Sequence, residues 1–393
     1  MSDDETIYLD YAASNPVDPR VAAVFGEAGL QVGNPSAIHA CGRRSREIID
    51  RARRQVAGLI GAELAQIVFT SGATESNNLA LLGSCLPLSK KFPGRRLRIL
   101  TSPLEHSSVR SVLERLAADH DFLIDELPVA SSGSVDAGAA AGLITADTVL
   151  VSLMWANNIL GAVQPVAEIG KLIAAERQRR GPADPPVLFF SDAVQAVSRL
   201  RVRPLEVGVD LLSFSSHKMY GPKGSGVLFV RDPKLLDPLV LGGGQENGLR
   251  SGTENLAGIA ACGRAAEILA AERNQDQRRA IALSHHLLEG LRSLPSGWRV
   301  LNDAPETLVE FVFVQSPRFR GDELALRLDA AGLAVSAGSA CDAGKRAASP
   351  VLAAVYGEKA AQQGGVRISF GRFTRDEDLD RLIAALRILS AGR

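Results

Sequence analysis

Ile67-Val68-Phe69-Thr70-Ser71-Gly72-Ala73-Thr74-Glu75-Ser76-Asn77-Asn78 begins with four residues suited to a buried strand, then passes through a small, polar turn into a segment of helical period. Such a turn gathers free backbone N–H groups and a hydroxyl at a helix N-terminus, where a phosphate is favoured. An ordinary N-cap by Ser71 or Thr74 would look the same. The pattern recurs outward from this stretch: the apolar runs Leu97 to Thr101, Val149 to Met154, Val187 to Ser191 and Leu211 to Phe214 are separated by longer segments of helical period. The alternation predicts a doubly wound α/β domain with a mainly parallel sheet and a ligand site beyond the carboxyl ends of its strands.

From about Glu254 the pattern changes to an Ala/Leu/Arg-rich helical stretch reaching about Leu294. The strand-like Leu308 to Val314, a helix near Asp322 to Ala330 and the amphipathic helix Asp376 to Leu389 follow. A chain of 393 residues exceeds a usual single domain. The expected division is a large α/β domain over 14–258 and a smaller α+β domain over 259–393, with 1–13 packing on the latter.

Lys and Arg together number 44, as do Asp and Glu, so net charge points to neither nucleic acid nor an anionic membrane, and a small diffusible ligand is expected. The acidic start Met1-Ser2-Asp3-Asp4-Glu5 lacks the features of a secretion signal, and no apolar run reaches the roughly 18 to 20 residues that span a bilayer. A cytoplasmic protein is expected. Cys41, Cys85, Cys262 and Cys341 show no CxxC spacing, which argues against a metal site or a disulfide framework. Gly242 to Gly248 lacks the strand-turn-helix context of a dinucleotide fingerprint, and no GxxxxGK[ST] occurs.

The chemistry-bearing residues fall at strand ends. Lys218, in Ser213-Phe214-Ser215-Ser216-His217-Lys218-Met219-Tyr220-Gly221, leaves the last apolar run between hydroxyls and a histidine. There it can condense with a phosphorylated aldehyde, for which pyridoxal 5'-phosphate is the candidate. Asp192 ends Phe189-Phe190-Ser191-Asp192, where a buried carboxylate needs a cationic partner such as a protonated pyridine nitrogen. His106 follows Leu97 to Thr101 and could stack on a ring and move protons near neutral pH. Singly, these could be a surface lysine, a helix-capping aspartate and a structural histidine. Their meeting with Thr74 at one sheet edge favours the chemical reading.

Several further runs fall in order with these: Tyr8-Leu9-Asp10-Tyr11-Ala12-Ala13, Gly33-Asn34-Pro35-Ser36, Trp155-Ala156-Asn157-Asn158, Asp192-Ala193-Val194-Gln195 and Arg250-Ser251-Gly252-Thr253-Glu254-Asn255. Together they make the chain resemble the cysteine desulfurases of the NifS/IscS type, collinearly from about Tyr8 to the C-terminal helix. The resemblance implies a fold-type I, pyridoxal-phosphate-dependent homodimer with a large domain built on a seven-stranded-type sheet. Its reaction would take sulfur from L-cysteine, leave L-alanine and pass the sulfur to an acceptor protein, such as an iron–sulfur scaffold or another sulfur carrier. It implies that Lys218 is the Schiff-base lysine, Asp192 the pyridinium partner and His106 the ring-stacking acid/base. Ala73, Thr74, Ser215 and His217 would cradle the phosphate, and Gln195 and Asn157 would contact the ring-hydroxyl side. Thr253 would reach the phosphate of the other subunit. Asn157, Arg367 and Asn34 would bind substrate, with Arg367 clamping its carboxylate, a task suited to a planar guanidinium.

Cys341, in Ser336-Ala337-Gly338-Ser339-Ala340-Cys341, matches the persulfide-forming cysteine of that family. Two departures stand out. Ile159 replaces a usual Glu after Asn157-Asn158, and Asp342-Ala343-Gly344-Lys345-Arg346-Ala347-Ala348-Ser349-Pro350 replaces the usual sequence after the cysteine. The second puts the acceptor in question more than the chemistry. Arg372 reads as structural. A selenocysteine lyase, another class V aminotransferase-like enzyme, or a weakly active scaffold-binding subunit are the alternatives.

Overall fold

The computed structural model of the protein describes residues 6–338 and 349–391. The chain begins with β1 (Ile7–Tyr8), α1 (Pro19–Gly29) and α2 (Ala40–Ile60). Asp18 starts α1 by accepting from Arg20 N at 2.9 Å, and Pro19 takes the first helical position, where a missing N–H costs nothing. Gly61 ends α2 in the left-handed conformation, φ 69°.

The alternation expected from the sequence follows: β2 (Ile67–Thr70), α3 (Ala73–Lys91), β3 (Arg98–Thr101), α4 (Ser107–His120), β4 (Leu123–Glu126), α5 (Ala137–Leu143), β5 (Thr148–Ser152), α6 (Val166–Arg179) and β6 (Leu188–Asp192). β7 (Leu211–Ser215) and β8 (Gly226–Val230) then pair directly as antiparallel neighbours. Together they form a seven-stranded sheet in the order β2-β8-β7-β6-β5-β3-β4. Only β8 runs against its neighbours, so β2, β3, β5, β6 and β7 all end on the same edge.

Both sheet faces are covered, which is why the strands read as apolar runs rather than as alternating patterns. Leu100, Val151, Phe189, Leu212 and Phe229 face one core, while Ile99, Leu150, Phe190, Leu211 and Leu228 face another that α3 and α4 complete.

α7 (Leu256–Arg292) links this body to a second one. Its first half contributes Ile259, Cys262 and Leu269 to the core beneath the sheet. Its second half contributes Leu283, Leu287 and Leu291 to a separate core with Val312, Val314 and Ile368. Around the latter lie β9 (Arg299–Val300), β10 (Phe311–Gln315), α8 (Gly321–Asp329), β11 (Leu333–Ala334), α9 (Pro350–Tyr356), α10 (Glu358–Gln363), β12 (Val366–Ser369) and α11 (Asp376–Ala391). β12, β10 and β9 make an antiparallel sheet. β1 pairs with β11, and Ile7 and Leu9 enter this second core. The strand expected from Leu308 starts only at Phe311, because Leu308 N turns back to donate to Gly161 O at 2.9 Å. Among the described residues, no helix is long and apolar enough to cross a membrane.

Candidate functional site

The turn between β2 and α3 lies at the edge where the parallel strands end. The helical ladder of α3 starts with Ser76 N donating to Gly72 O (3.1 Å), which leaves the earlier N–H groups of Ala73, Thr74 and Glu75 outside it. The head of β8 comes so close that a Cβ on Gly226 would lie 2.5 Å from Gly72 Cα. Gly226 therefore permits the backbone approach that builds this corner.

The corner is one wall of a cavity of about 540 Å³. Thr74, His106, Asp192, Gln195, Lys218 and Arg367 all line it, and Ala73, Ser215 and His217 stand beside them. Lys218 sits in the single turn that connects β7 to β8. Its ammonium donates to the carbonyls of Ala12 and Ala13, the latter at 2.7 Å, and its own carbonyl accepts from Asn15 Nδ2 at 2.8 Å. The N-terminal segment thus anchors the lysine from outside the sheet.

Asp192, the last residue of β6, is buried. Its Oδ1 accepts from Val194 N at 2.9 Å and its Oδ2 from Asn77 Nδ2 at 3.0 Å. These two donors fix the carboxylate's orientation in the cavity wall. Gln195 is oriented by its neighbours as well: Oε1 accepts from buried Arg199 at 3.1 Å, while Nε2 donates to Ala12 O at 3.0 Å. The Gln195 amide group therefore presents its N–H side to the Ala12 end of the cavity.

His217 reaches Ser14 Oγ at 3.3 Å through Nδ1. Burial, with the positive charges of Lys218 and Lys223, lowers its imidazole to about 4, so the ring is neutral at pH 7. Glu105, just before His106, is buried, and that burial, with the nearby Asp192 charge, raises its carboxyl to about 8. One of its oxygens accepts from Met154 N at 2.5 Å; the other has no partner among the described residues. A protonated carboxyl is the form this environment favours.

Arg367 comes from β12 of the second body and closes the cavity. Nη2 donates to Asp10 Oδ1 and Nη1 to Asn158 O, each at 2.6 Å. Nε is buried and has no partner among the described residues. An orphaned donor of this kind costs roughly 1–3 kcal/mol unless something accepts from it. Arg367 lines the cavity, so a carboxylate entering it would meet a guanidinium with one N–H still uncommitted among the described residues.

Two residues expected in the cavity wall, Asn157 and Asn34, lie outside it. Asn157 is fully buried, and its side chain closes its own turn by accepting from Ile159 N (2.9 Å) and Leu160 N (2.8 Å) and donating to Leu104 O (3.2 Å). Its neighbour Asn158 takes the place in the cavity wall. Asn34 is exposed, with its side chain accepting from Ser36 N at 2.8 Å, and Thr253 is also exposed, outside the wall. Cys341 lies outside the described residues, although Ser336, five positions earlier, lines the cavity. Ile159 packs among Leu104, Met154, Leu160 and Phe313, an apolar setting that an acid would disrupt. Asp10, Asn158 and Lys223 are wall residues that motif reading passed over. Asp10 and Asn158 stood inside quoted motifs, but only the fold shows which way they face.

The donor set fits a phosphorylated aromatic aldehyde. A helix start suits the phosphate, a buried carboxylate suits a cationic ring nitrogen, an amine suits the aldehyde, and the orphaned guanidinium nitrogen suits a second anion on whatever condenses there.

Known proteins are similar to this chain in sequence and in fold. The chain is 38% identical over 381 residues to Cysteine desulfurase IscS 1 of Archaeoglobus fulgidus, covering 96% of this chain and 95% of the relative. A solved NifS-like protein superposes with a TM-score of 0.88 at 31% identity, covering 99% of this chain and 100% of that one. The structure of SspA in complex with cysteine superposes with a TM-score of 0.80, also at 31% identity, over 94% of this chain and 100% of that one. Residues 7–382 match the family Aminotransferase class-V. A sheet edge that gathers a lysine, an aspartate and a helix start around one cavity is thus carried by a chain that belongs to the class V aminotransferase family, as a homologue of its IscS/NifS cysteine desulfurases.

Proposed function

We propose that this protein is a pyridoxal-phosphate-dependent cysteine desulfurase. The observation that carries the reading is Arg367, buried in the same cavity wall as Lys218 and Asp192 with its Nε unpartnered among the described residues. An amino acid could then sit with its amine at Lys218's end of the cavity and its carboxylate at Arg367. The relatives' activity supports cysteine as that amino acid.

When bound, pyridoxal phosphate supplies an aldehyde for the substrate amine and a protonated ring that withdraws electrons from Cα. The α3 N-terminus at Ala73 and Thr74, with Ser215 and His217, would hold its phosphate, and Asp192 would hold its ring nitrogen. Neutral His217 would add a hydrogen bond there, not a charge. Gln195 and Asn158 would contact the ring's hydroxyl side. Lys218, drawn from the carbonyls of Ala12 and Ala13, would carry the Cα proton. Arg367 would orient the carboxylate and so fix which Cα bond faces the lysine.

Cys341 would be the sulfur acceptor within the chain, and the five residues from Ser336 span at most about 18 Å when extended. The net step balances as L-cysteine plus the Cys341 thiol giving L-alanine plus a Cys341 persulfide, the C–S bond breaking as the S–S bond forms. A sulfur-acceptor protein, such as an iron–sulfur scaffold, would then take the terminal sulfur. A homodimer in the cytoplasm, with Thr253 serving the partner's phosphate, completes the proposal. Equal, catalytic yields of alanine and sulfide from L-cysteine and a thiol reductant test it; pyruvate with ammonia, or amino transfer that needs a keto acid, would refute it.

A further inference from the structure

We infer that Ser108 and Asn77 hold His106 in a single tautomer, with the proton on Nε2, so that His106 enters the reaction as a neutral hydrogen-bond donor. His106 is the N-cap of α4, and Ser108 N donates to its Nδ1 at 3.1 Å. A backbone N–H can only donate, so Nδ1 must present a lone pair. Ser108 Oγ lies 2.8 Å from the same nitrogen.

The direction of that second bond is set by a chain of contacts from the sheet. Ser213 Oγ, on β7, donates to Asn77 Oδ1. The amide's Nδ2 hydrogens then point the other way, to Asp192 Oδ2 at 3.0 Å and to Ser108 Oγ at 2.8 Å. The opposite amide orientation would turn Oδ1 toward the Asp192 carboxylate, oxygen against oxygen. Having accepted from Asn77, the Ser108 hydroxyl has its own hydrogen to give to Nδ1. Both contacts at Nδ1 are therefore donors, and a neutral ring carries its hydrogen on Nε2.

This arrangement exceeds what helix capping requires. Capping needs only His106 and Ser108, whereas Asn77 comes from α3 and ties the ring to Asp192. To take up a proton at Nδ1 the ring would have to displace the Ser108 N–H, which disfavours the base role expected of it from sequence. Ser108 and Asn77 are positioning residues, acting through His106 and Asp192. The inference rests on the cavity being the seat of pyridoxal phosphate, which the visible absorption of the same sample reports separately.

The test is long-range proton–nitrogen NMR of the 15N-histidine-labelled holoenzyme at neutral pH, with His106 assigned through His106→Asn. The expected result is a pyrrole-type Nε2 and a pyridine-type Nδ1 displaced by hydrogen bonding. Ser108→Ala keeps the backbone donor and should move Nδ1 toward the value of an unbonded ring nitrogen; Ser108→Thr should restore it. A hydrogen on Nδ1, both nitrogens protonated, or an unchanged Nδ1 in Ser108→Ala would overturn the inference. A sample lacking the visible cofactor band would count against the cofactor instead, with the tautomer still read from the same spectrum.

Discussion

Arg367 is the residue at which the account is most exposed, because Asp10 already occupies part of its fork. A substrate carboxylate must share or displace that partner, so Arg367→Lys, which forfeits the planar fork, is expected to lower kcat/KM for cysteine about 10- to 100-fold, mostly through KM, from losing roughly 1.5–3 kcal/mol of charge-assisted bonding. Steady-state kinetics check it. Cys341→Ser should keep the visible cofactor band and bind cysteine yet form no persulfide; sulfide release at the original rate would disprove the assigned nucleophile. Glu105 makes a prediction about pH. Its folded value of about 8 lies above the ordinary 4.5, so its contribution to stability is full below about 4.5 and is lost as pH rises through about 8. Glu105→Gln should therefore flatten the stability profile between these limits, a difference on the order of a few kcal/mol in denaturant titrations at several pH values. Lys218, Asp192 and His106 could be picked out in the sequence because each lies at, or within five residues of, the end of an apolar run, and all three line the cavity. Asn158 could not, since the choice between two adjacent asparagines depends on which one closes the turn. Asp10 stood in a quoted motif, yet its pairing spans 357 positions, which no local pattern reports.

At the level of elements, most strand positions followed from apolar runs because both sheet faces are buried, whereas partly exposed β4 formed no such run and β8 escaped notice because the stretch before it reads as a turn around Lys218. That connection makes the lysine a product of the β7–β8 pairing. Arg372 shows a different kind of join. It donates to Asp18 Oδ2 at 2.8 Å and to Asp276 Oδ2 at 2.6 Å, tying the start of α1 and the middle of α7 to the segment after β12. Asp18 is buried. Arg372→Ala should remove the ties to Asp18 and Asp276, with Asp18 still held by Arg20 Nη2 at 2.7 Å, and destabilise the protein by about 1.5–3 kcal/mol. The KM for cysteine should stay unchanged. A raised KM with unaltered stability would instead make Arg372 a substrate ligand.

For the whole molecule, we propose the division into 14–258 and 259–393 with 1–13 packed on the second, supported by Ile7 and Leu9 in the second core and by the change of core along α7. The cavity lies between these bodies, with Lys218 supplied by one and Arg367 by the other. Leu30, Val32, Ile38 and Leu241 are largely exposed on the single chain, as expected of a surface that another copy covers. Sedimentation should give twice the chain mass, and a monomer would leave Thr253 without a role. In the sequence, the feature behind this proposed division is the change of pattern near Glu254. The sequence could not reveal these exposed apolar residues, because they resemble core residues until the fold is known. The central claim is the chemistry, and the most direct measurement is the product balance from purified protein given L-cysteine and a thiol reductant. The account predicts alanine and sulfide in equal, catalytic amounts; pyruvate with ammonia, amino transfer dependent on a keto acid, or no turnover would contradict it.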